Sequence, residues 1–324
     1  MTAFPEPPDD DYAVLYRKDT DKPLPEKIVQ STRYAYFKTI ARGGKSIIQS
    51  CRDLHLGRTV CYKTLRPEFE NDPAEQRRLL REARVSAMLQ HPNTVPTYEL
   101  SRDSRGRYFF TMKLVHGYTL REVLDYRERY DLRQLIDVVI QVSYALQYAH
   151  SHRVIHRDIK PDNVLVGPYG EVLLLDWGLA KVWDESGNHD DPLVTDAEDP
   201  GRKVDRDTSA GELQGTIAYM SPEQIRRDPA IDYRSDIYSL GVMLYEILSG
   251  RLPSPGETVD EVIEQIHNVD PPWPSEFVTP KPPRLLETVA MRCIAKAPDE
   301  RLQDWSELIR LLQEDWGKSH WRPR

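Results

Sequence analysis

Cysteine is scarce in this chain: 324 residues carry only Cys51, Cys61 and Cys293. An odd, sparse set with no metal-ligand spacing excludes a disulfide framework and a cysteine-held zinc site, and it suits a reducing cytoplasm. Long apolar runs are missing. No uninterrupted stretch of about 18 apolar residues occurs, and the N-terminus lacks an apolar signal core, so no membrane segment or secretory signal is expected in this chain. An excess of positive charge is also missing. Forty-four Lys and Arg stand against 52 Asp and Glu, a formal net charge of −8, which disfavours a nucleic-acid partner. No internal repeat is evident. What remains is 39 % hydrophobic and 30 % charged, the composition of a soluble globular protein. The length permits a large core in one large domain or two lobes.

The pattern changes along the chain. Residues 1–33 are rich in proline and acid (Pro5, Pro7, Pro8, Asp9, Asp10, Asp11, Pro23, Pro25) and read as an extended or partly disordered leader. Short β-type runs follow at Tyr34–Ile40, Ser46–Cys51 and Thr59–Leu65, separated by turn signals at Gly43-Gly44 and Leu56-Gly57. A helix is expected over Pro73–Leu89, with Asp72 as cap and proline at its first position. Two more strands are expected at Thr94–Leu100 and Tyr108–Leu114. Beyond Gly117 the chain turns helical. Leu132, Leu135, Val139, Val142, Leu146 and Ala149 recur at helical spacing. A short strand is expected at Val172–Leu175, then a long polar segment from Lys181 to Gln214. Helices are expected near Ser235–Ser249, Val259–His267, Leu285–Ala295 and Trp305–Asp315. The reading is α+β, with a mostly β first lobe and a mainly helical second lobe.

The residues that carry chemistry stand near the middle. His156-Arg157-Asp158-Ile159-Lys160-Pro161-Asp162-Asn163 is followed by Asp176-Trp177-Gly178. This pair points to phosphoryl transfer, which demands positioning and charge neutralisation more than covalent chemistry. Asp158 is placed to accept a proton from an attacking hydroxyl. Asn163 and Asp176 are oxygen ligands placed to hold magnesium against a nucleotide's phosphates.

Taken together, the segments resemble the eukaryotic-type Ser/Thr protein kinase family in its bacterial form, over about residues 34–314. The resemblance implies a two-lobed fold with an N-lobe over 34–112, a C-lobe over 113–314, an activation segment over 176–223 and a tail at 315–324. It implies ATP with Mg2+ or Mn2+ as cofactors. Protein Ser/Thr substrates, including the chain itself in trans, are the expected partners, and a cytoplasmic location follows. Val60-Cys61-Tyr62-Lys63 looks like the strand whose lysine grips the α and β phosphates, and Glu82 looks like its ion-pair partner. Met112 matches the residue at the back of the adenine pocket. Lys113, Leu114 and Val115 match the hinge whose backbone pairs with adenine. Ile48 and Cys61 belong with that pocket, and Leu165 closes its floor. Lys160 matches a lysine near the transferred phosphate. Gly215-Thr216-Ile217-Ala218-Tyr219-Met220-Ser221-Pro222-Glu223 resembles the segment that docks substrate. Glu223 is expected to pair with Arg301, and Asp236 to brace the catalytic loop. His156 matches a packing histidine.

Three departures from the family pattern stand out. Ala41-Arg42-Gly43-Gly44-Lys45-Ser46 keeps only the middle glycine of a GxGxxG loop, with Gly43 expected nearest the phosphates and Ala41 and Gly44 as further nucleotide-binding positions. Trp177 stands where phenylalanine is usual. Ser86, one helical turn after Glu82, stands where an apolar residue is usual, so the large indole is expected to fill the volume that serine leaves. Third, Asp184–Asp207 holds nine acids against three bases, read as a solvated insert or as a recruiter of a basic partner. Arg157 beside Asp158 carries a guanidinium that needs an anion. Phosphorylation of Thr208 or Ser209, with Thr195 as a weaker candidate, is the expected source. The alternative to an active kinase is a pseudokinase scaffold that binds nucleotide without transferring phosphate.

Overall fold

In a computed structural model, residues 33–183 and 210–314 are described. The first part is a five-stranded antiparallel sheet of order β1-β2-β3-β5-β4. Its strands are β1 (Tyr34–Arg42), β2 (Ser46–Asp53), β3 (Arg58–Leu65), β4 (Thr97–Arg102) and β5 (Tyr108–Lys113). The β2–β3 register runs without a break from Ser46↔Leu65 to Asp53↔Arg58. Edge strand β1 instead carries two register shifts and a positive φ at Tyr36. Such bulges twist an edge away from unwanted pairing.

Helix α1 (Pro73–Met88) begins as its sequence demands. The Asp72 carboxylate accepts from the Ala74 and Glu75 N–H groups, and Pro73 sits in the first turn. Leu79, Glu82, Ala83 and Val85 are its buried positions. Leu79 and Ala83 pack on Leu65 and Phe110 of the sheet, while Val85 joins the core of the second part. One helix thus touches both halves.

The second part opens with β6 (Tyr118–Thr119) and α2 (Leu120–Asp125), then α3 (Leu132–Ser151), closed at its N-terminus by a reciprocal Asp131–Gln134 capping box. Short strands β7 (Val154–Ile155), β8 (Val164–Val166), β9 (Val172–Leu174) and β10 (Lys181–Val182) frame the loops between them. β6, β8 and β9 form one small sheet, and β7 pairs with β10. Then come α4 (Ala210–Ile217), α5 (Pro222–Arg226), α6 (Arg234–Ser249), α7 (Val259–Asn268), α8 (Arg284–Cys293) and α9 (Trp305–Gln313). Helix α6 is buried on nearly every side, the mark of a central core helix. It approaches α8 so closely that a Cβ on Gly241 would lie 2.4 Å from the Cys293 Cβ, so only glycine fits there.

Three expectations need correction. The strand expected from Thr94 starts at Thr97. The Thr94 hydroxyl donates instead to the carbonyls of Leu89 and His91 at the end of α1, and Pro96 has no N–H for a ladder. The polar stretch expected through Gln214 already contains α4 from Ala210. Helix α5, built on Ser221 as cap and Pro222 in its first turn, was not anticipated, because five residues are too few to show helical periodicity.

Candidate active site

Sheet register gathers the upper side of the cleft. Ile48 lies opposite Lys63, Lys63 opposite Phe110, and Cys61 opposite Met112. Cross-strand partners share a face of the sheet, so these five side chains form one surface. Lys63 Nζ donates to Glu82 Oε1 at 2.6 Å, and both side chains are buried. Burial works against the ammonium, but the Glu82 and Asp176 carboxylates outweigh it and raise the Lys63 pKa. Lysine therefore stays charged in a place that would otherwise neutralise it.

Of the hinge residues, Lys113 has its N–H taken by the Pro96 carbonyl at 3.0 Å, so that amide is not on offer to a ligand. Leu165 is half-buried between the fully buried Val164 and Val166. Strand alternation turns it to the side opposite them. In the β1–β2 connection the Gly43 N–H donates to the Ser46 carbonyl. A methyl on Gly43 would meet Ser46 Oγ only at 3.5 Å, and one on Gly44 would meet nothing within 4 Å. Neither residue has a positive φ. The hairpin itself does not demand glycine at either place.

The lower side is held by α6. Asp236 is wholly buried and accepts from the backbone N–H groups of His156 (2.8 Å) and Arg157 (2.9 Å). Its pKa is lowered: burial opposes this, and the hydrogen bond from His150 leads the groups that overcome it. Arg157 adopts φ 68°, a left-handed conformation that costs a non-glycine residue of order 1–3 kcal/mol unless its surroundings fix it. The Asp236 bond, Gln224 Nε2 on the Arg157 carbonyl (2.8 Å) and Arg157 Nε on the Leu179 carbonyl (2.6 Å) do so. The next residue is Asp158. One of its carboxylate oxygens accepts from Lys160 Nζ at 3.0 Å, and the other from Asn163 Nδ2 at 2.8 Å. Lys160 also reaches Thr216 Oγ1 at 3.3 Å. Asp158, Lys160, Asn163 and Thr216 are thus brought together.

Asp176 stands at φ 57° and accepts from the Gly178 N–H at 3.1 Å. Burial would raise its pKa, but Lys63 and Arg78 lower it to about 2, so it is a carboxylate at neutral pH. The Asn163 amide nitrogen also donates to the Asp158 carbonyl, which leaves the amide oxygen to face a cation. One carboxylate and one amide oxygen form a hard, oxygen-only donor pair. Among the described residues no cluster of three His, Cys, Asp or Glu could hold a metal. The donors therefore fit an ion shared with a phosphorylated ligand better than one held by protein alone. Trp177 is 2 % exposed, lies in the same apolar cluster as Val85 and Leu89, and has its ring 4.5 Å from that of His156.

Glu223 and Arg301 make a bidentate buried ion pair at 2.6 and 2.8 Å. Thr195, Thr208, Ser209 and the acidic run lie outside the described residues, as do residues 1–32 of the leader and the 315–324 tail. Sequence reasoning missed three contributors. Arg78 sits one turn before Glu82 on α1 and acts on Asp176, a spacing that could have been noticed. Arg121 binds Glu246 (2.7 Å), and Tyr219 OH joins both. His150 bonds Asp236 and receives a bond from Trp305. The last two link residues 27 to 155 positions apart on separate elements, so no local pattern announces them.

Residues 34–316 match the protein kinase domain family. The chain is 34 % identical to the serine/threonine-protein kinase PknD of Protochlamydia amoebophila over 90 % of its own length and 31 % of that protein. It is 34 % identical to the serine/threonine-protein kinase PknB of Mycolicibacterium smegmatis over 86 % of its length and 42 % of that protein. PknB of Mycobacterium tuberculosis is 33 % identical over the same shares. The chain thus spans about a third to two-fifths of the length of these relatives.

Proposed function

The chain belongs to the protein kinase family, and from this we propose that it transfers the γ-phosphoryl group of ATP to serine and threonine hydroxyls of proteins. The observation that carries the proposal is the meeting of Asp158, Lys160 and Thr216 with the ionised Asp176 on one side of a cleft whose other wall holds the Lys63–Glu82 pair. Lys63 orients the α and β phosphates. Asp158 accepts the proton of the acceptor hydroxyl, and Lys160, which donates to it at 3.0 Å, orients it and lies beside the phosphate in transit. Asn163 and Asp176 would hold magnesium or manganese, which supplies charge neutralisation on the phosphates. Ile48, Cys61, Met112 and Leu165 enclose the base, and the backbone of Lys113 and Val115 pairs with it, the Lys113 carbonyl being the group from that residue. Ala41, Gly43 and Gly44 lie over the phosphates.

Protein substrates and the chain itself in trans are the proposed acceptors. Thr208 or Ser209, and less so Thr195, are the proposed regulatory sites, supported by their place a few residues before the docking segment. A cytoplasmic location is proposed because ATP is there and the three cysteines are free and buried. Among the described residues no helix is long and apolar enough to cross a membrane. The test is incubation of the purified chain with labelled ATP and magnesium, followed by mapping of phosphorylated residues. Label on serine and threonine, absent in Asp158→Asn, supports the proposal. Phosphotyrosine as the main product would overturn the acceptor assignment. Nucleotide-induced thermal stabilisation with no transfer would favour the pseudokinase scaffold, the reading that the degraded glycine loop supports.

A further inference from the structure

A buried relay runs from the last described helix to the catalytic loop. Trp305, the first residue of α9, is 5 % exposed. Its indole N–H lies 2.6 Å from His150 Nδ1, near the end of α3. Indole nitrogen can only donate, so Nδ1 must accept, and the neutral ring then carries its proton on Nε2. His150 Nε2 lies 2.8 Å from Asp236 Oδ2, so this N–H donates to the carboxylate. The same carboxylate accepts the backbone N–H groups of His156 and Arg157. Those are the two residues before Asp158, and the second is the one in the left-handed conformation. Asp236 is 0 % exposed, so it meets no water to replace a lost donor.

We propose that Trp305 is a positioning residue for the catalytic base: by fixing the His150 tautomer it keeps a third donor on Asp236, and Asp236 holds the His156–Arg157 peptide, directly before Asp158, in place. The proposal rests on the reading of Asp158 as the base. With Trp305→Phe the ring volume is largely kept, but the donor to Nδ1 is gone. His150 can then put its proton on Nδ1, which turns the Nε2 lone pair toward Asp236. Asp236 loses a donor, and the strained Arg157 loses part of what fixes it. The effect falls on the chemical step, because the relay touches neither the nucleotide wall nor the hinge.

The test compares wild type, Trp305→Phe and Ile309→Val, the last a mild core change on the same helix. Two readouts are taken: the kcat-against-KM split in peptide phosphorylation, and the His150 tautomer from two-bond 1H–15N NMR. Wild type should show the Nε2–H tautomer. Trp305→Phe should lose that pure signature and lose kcat by about tenfold, with KM for ATP unchanged. Ile309→Val should keep both the tautomer and kcat. Unchanged kcat in Trp305→Phe, an unchanged tautomer in it, or an equal kcat loss in Ile309→Val would each overturn the proposal while leaving the reading of Asp158 intact. A wild-type protein that transfers no phosphate would instead remove the base itself, and the positioning role with it.

Discussion

The two halves of this protein kinase domain are built on different scales. In the upper half the sheet rests on two small clusters of four buried residues each, Cys51, Val60, Tyr62 and Phe109 on one side and Leu65, Leu79, Ala83 and Phe110 on the other. In the lower half one continuous core runs from α3 through α6 to α8 and α9. Polar function follows the same division. The upper half holds Lys63 through one ion pair to α1. The lower half holds Asp158 through a lysine and an asparagine on its carboxylate and through a strained arginine before it, which a buried carboxylate ties to α6. A small core opens at lower cost than a large one. On the proposed function, the lysine that meets the nucleotide is carried by the half with the smaller core, and the base by the half with the larger one.

The largest expected effect tests the rigidity of the lower half. Arg301→Ala would leave Glu223 charged and buried beneath the docking segment. Removing one partner of such a pair costs about 3–5 kcal/mol, to be read from urea unfolding midpoints. Arg301→Met with Glu223→Leu should regain much of that loss, since an apolar pair of similar volume replaces both charges. If Arg301→Ala costs less than about 1 kcal/mol, the apolar core alone holds this half and the polar anchors are incidental.

Next in size is the loss of chemistry from the two sides of the cleft. Lys63→Ala and Asp176→Asn should each lower phosphoryl transfer by roughly 100-fold or more, about 3 kcal/mol, with circular dichroism unchanged. On the proposed function Lys63 would orient the phosphates, and Asp176 would supply the anionic metal ligand. Near-wild-type transfer in either variant would remove the active-kinase reading.

How much of this was legible beforehand follows the same division of scale. The central motif, the Lys63–Glu82 pair and the Glu223–Arg301 pair could be placed because each residue stands in a recognisable local context. The start of β4 could not, because Thr94 spends its hydroxyl on the end of α1 rather than entering a ladder. Arg121, Glu246 and Tyr219 could not, because they meet only when three elements pack. The burial of Trp177 followed from its place in the motif. That its ring lies against His156 did not.

Trp177 is where the two halves meet, and it offers the third test. It shares its cluster with Val85 of α1 and with the lower core, and its indole nitrogen has no hydrogen-bond partner among the described residues. Ser86→Leu should overpack the neighbourhood and cost about 1–3 kcal/mol. Trp177→Phe should leave a gap and cost a comparable amount. The double variant should recover part of the loss, with a coupling of about 0.5–3 kcal/mol in a double-mutant cycle. Strictly additive effects on stability and rate would show that these two positions are independent.

The fourth expectation is a pH dependence. Asp176 is held at about 2 in the fold against an ordinary value of 3.8. The unfolded chain therefore binds this proton more readily than the folded one. The stability it contributes is present above pH 4 or so, and it is lost as pH falls toward 2. Between about pH 5 and pH 2.5, the stability gap between wild type and Asp176→Asn should shrink by roughly 1–2 kcal/mol, as measured by urea unfolding at each pH. A constant gap would mean that the nearby charges of Lys63 and Arg78 do not shape this carboxylate.

The smallest effect concerns the β1–β2 hairpin, and it separates two reasons for a glycine. Gly43 has an ordinary backbone conformation, and an added methyl would meet only Ser46 Oγ at contact distance. The hairpin should accept alanine, and the restricted unfolded chain should even gain about 0.4–1 kcal/mol of stability. A phosphate brought against the same backbone has no such room, because a side chain holds the amide off by its own radius. Gly43→Ala should therefore raise KM for ATP by about fivefold, near 1 kcal/mol, while the melting temperature holds or rises. Gly44→Ala, where a methyl meets nothing, is the companion variant and should do less to KM if Gly43 is the nearer residue. A fall in melting temperature with KM unchanged would reverse the assignment: glycine would then serve the hairpin, and the phosphates would be held by Lys63 and the lower half alone.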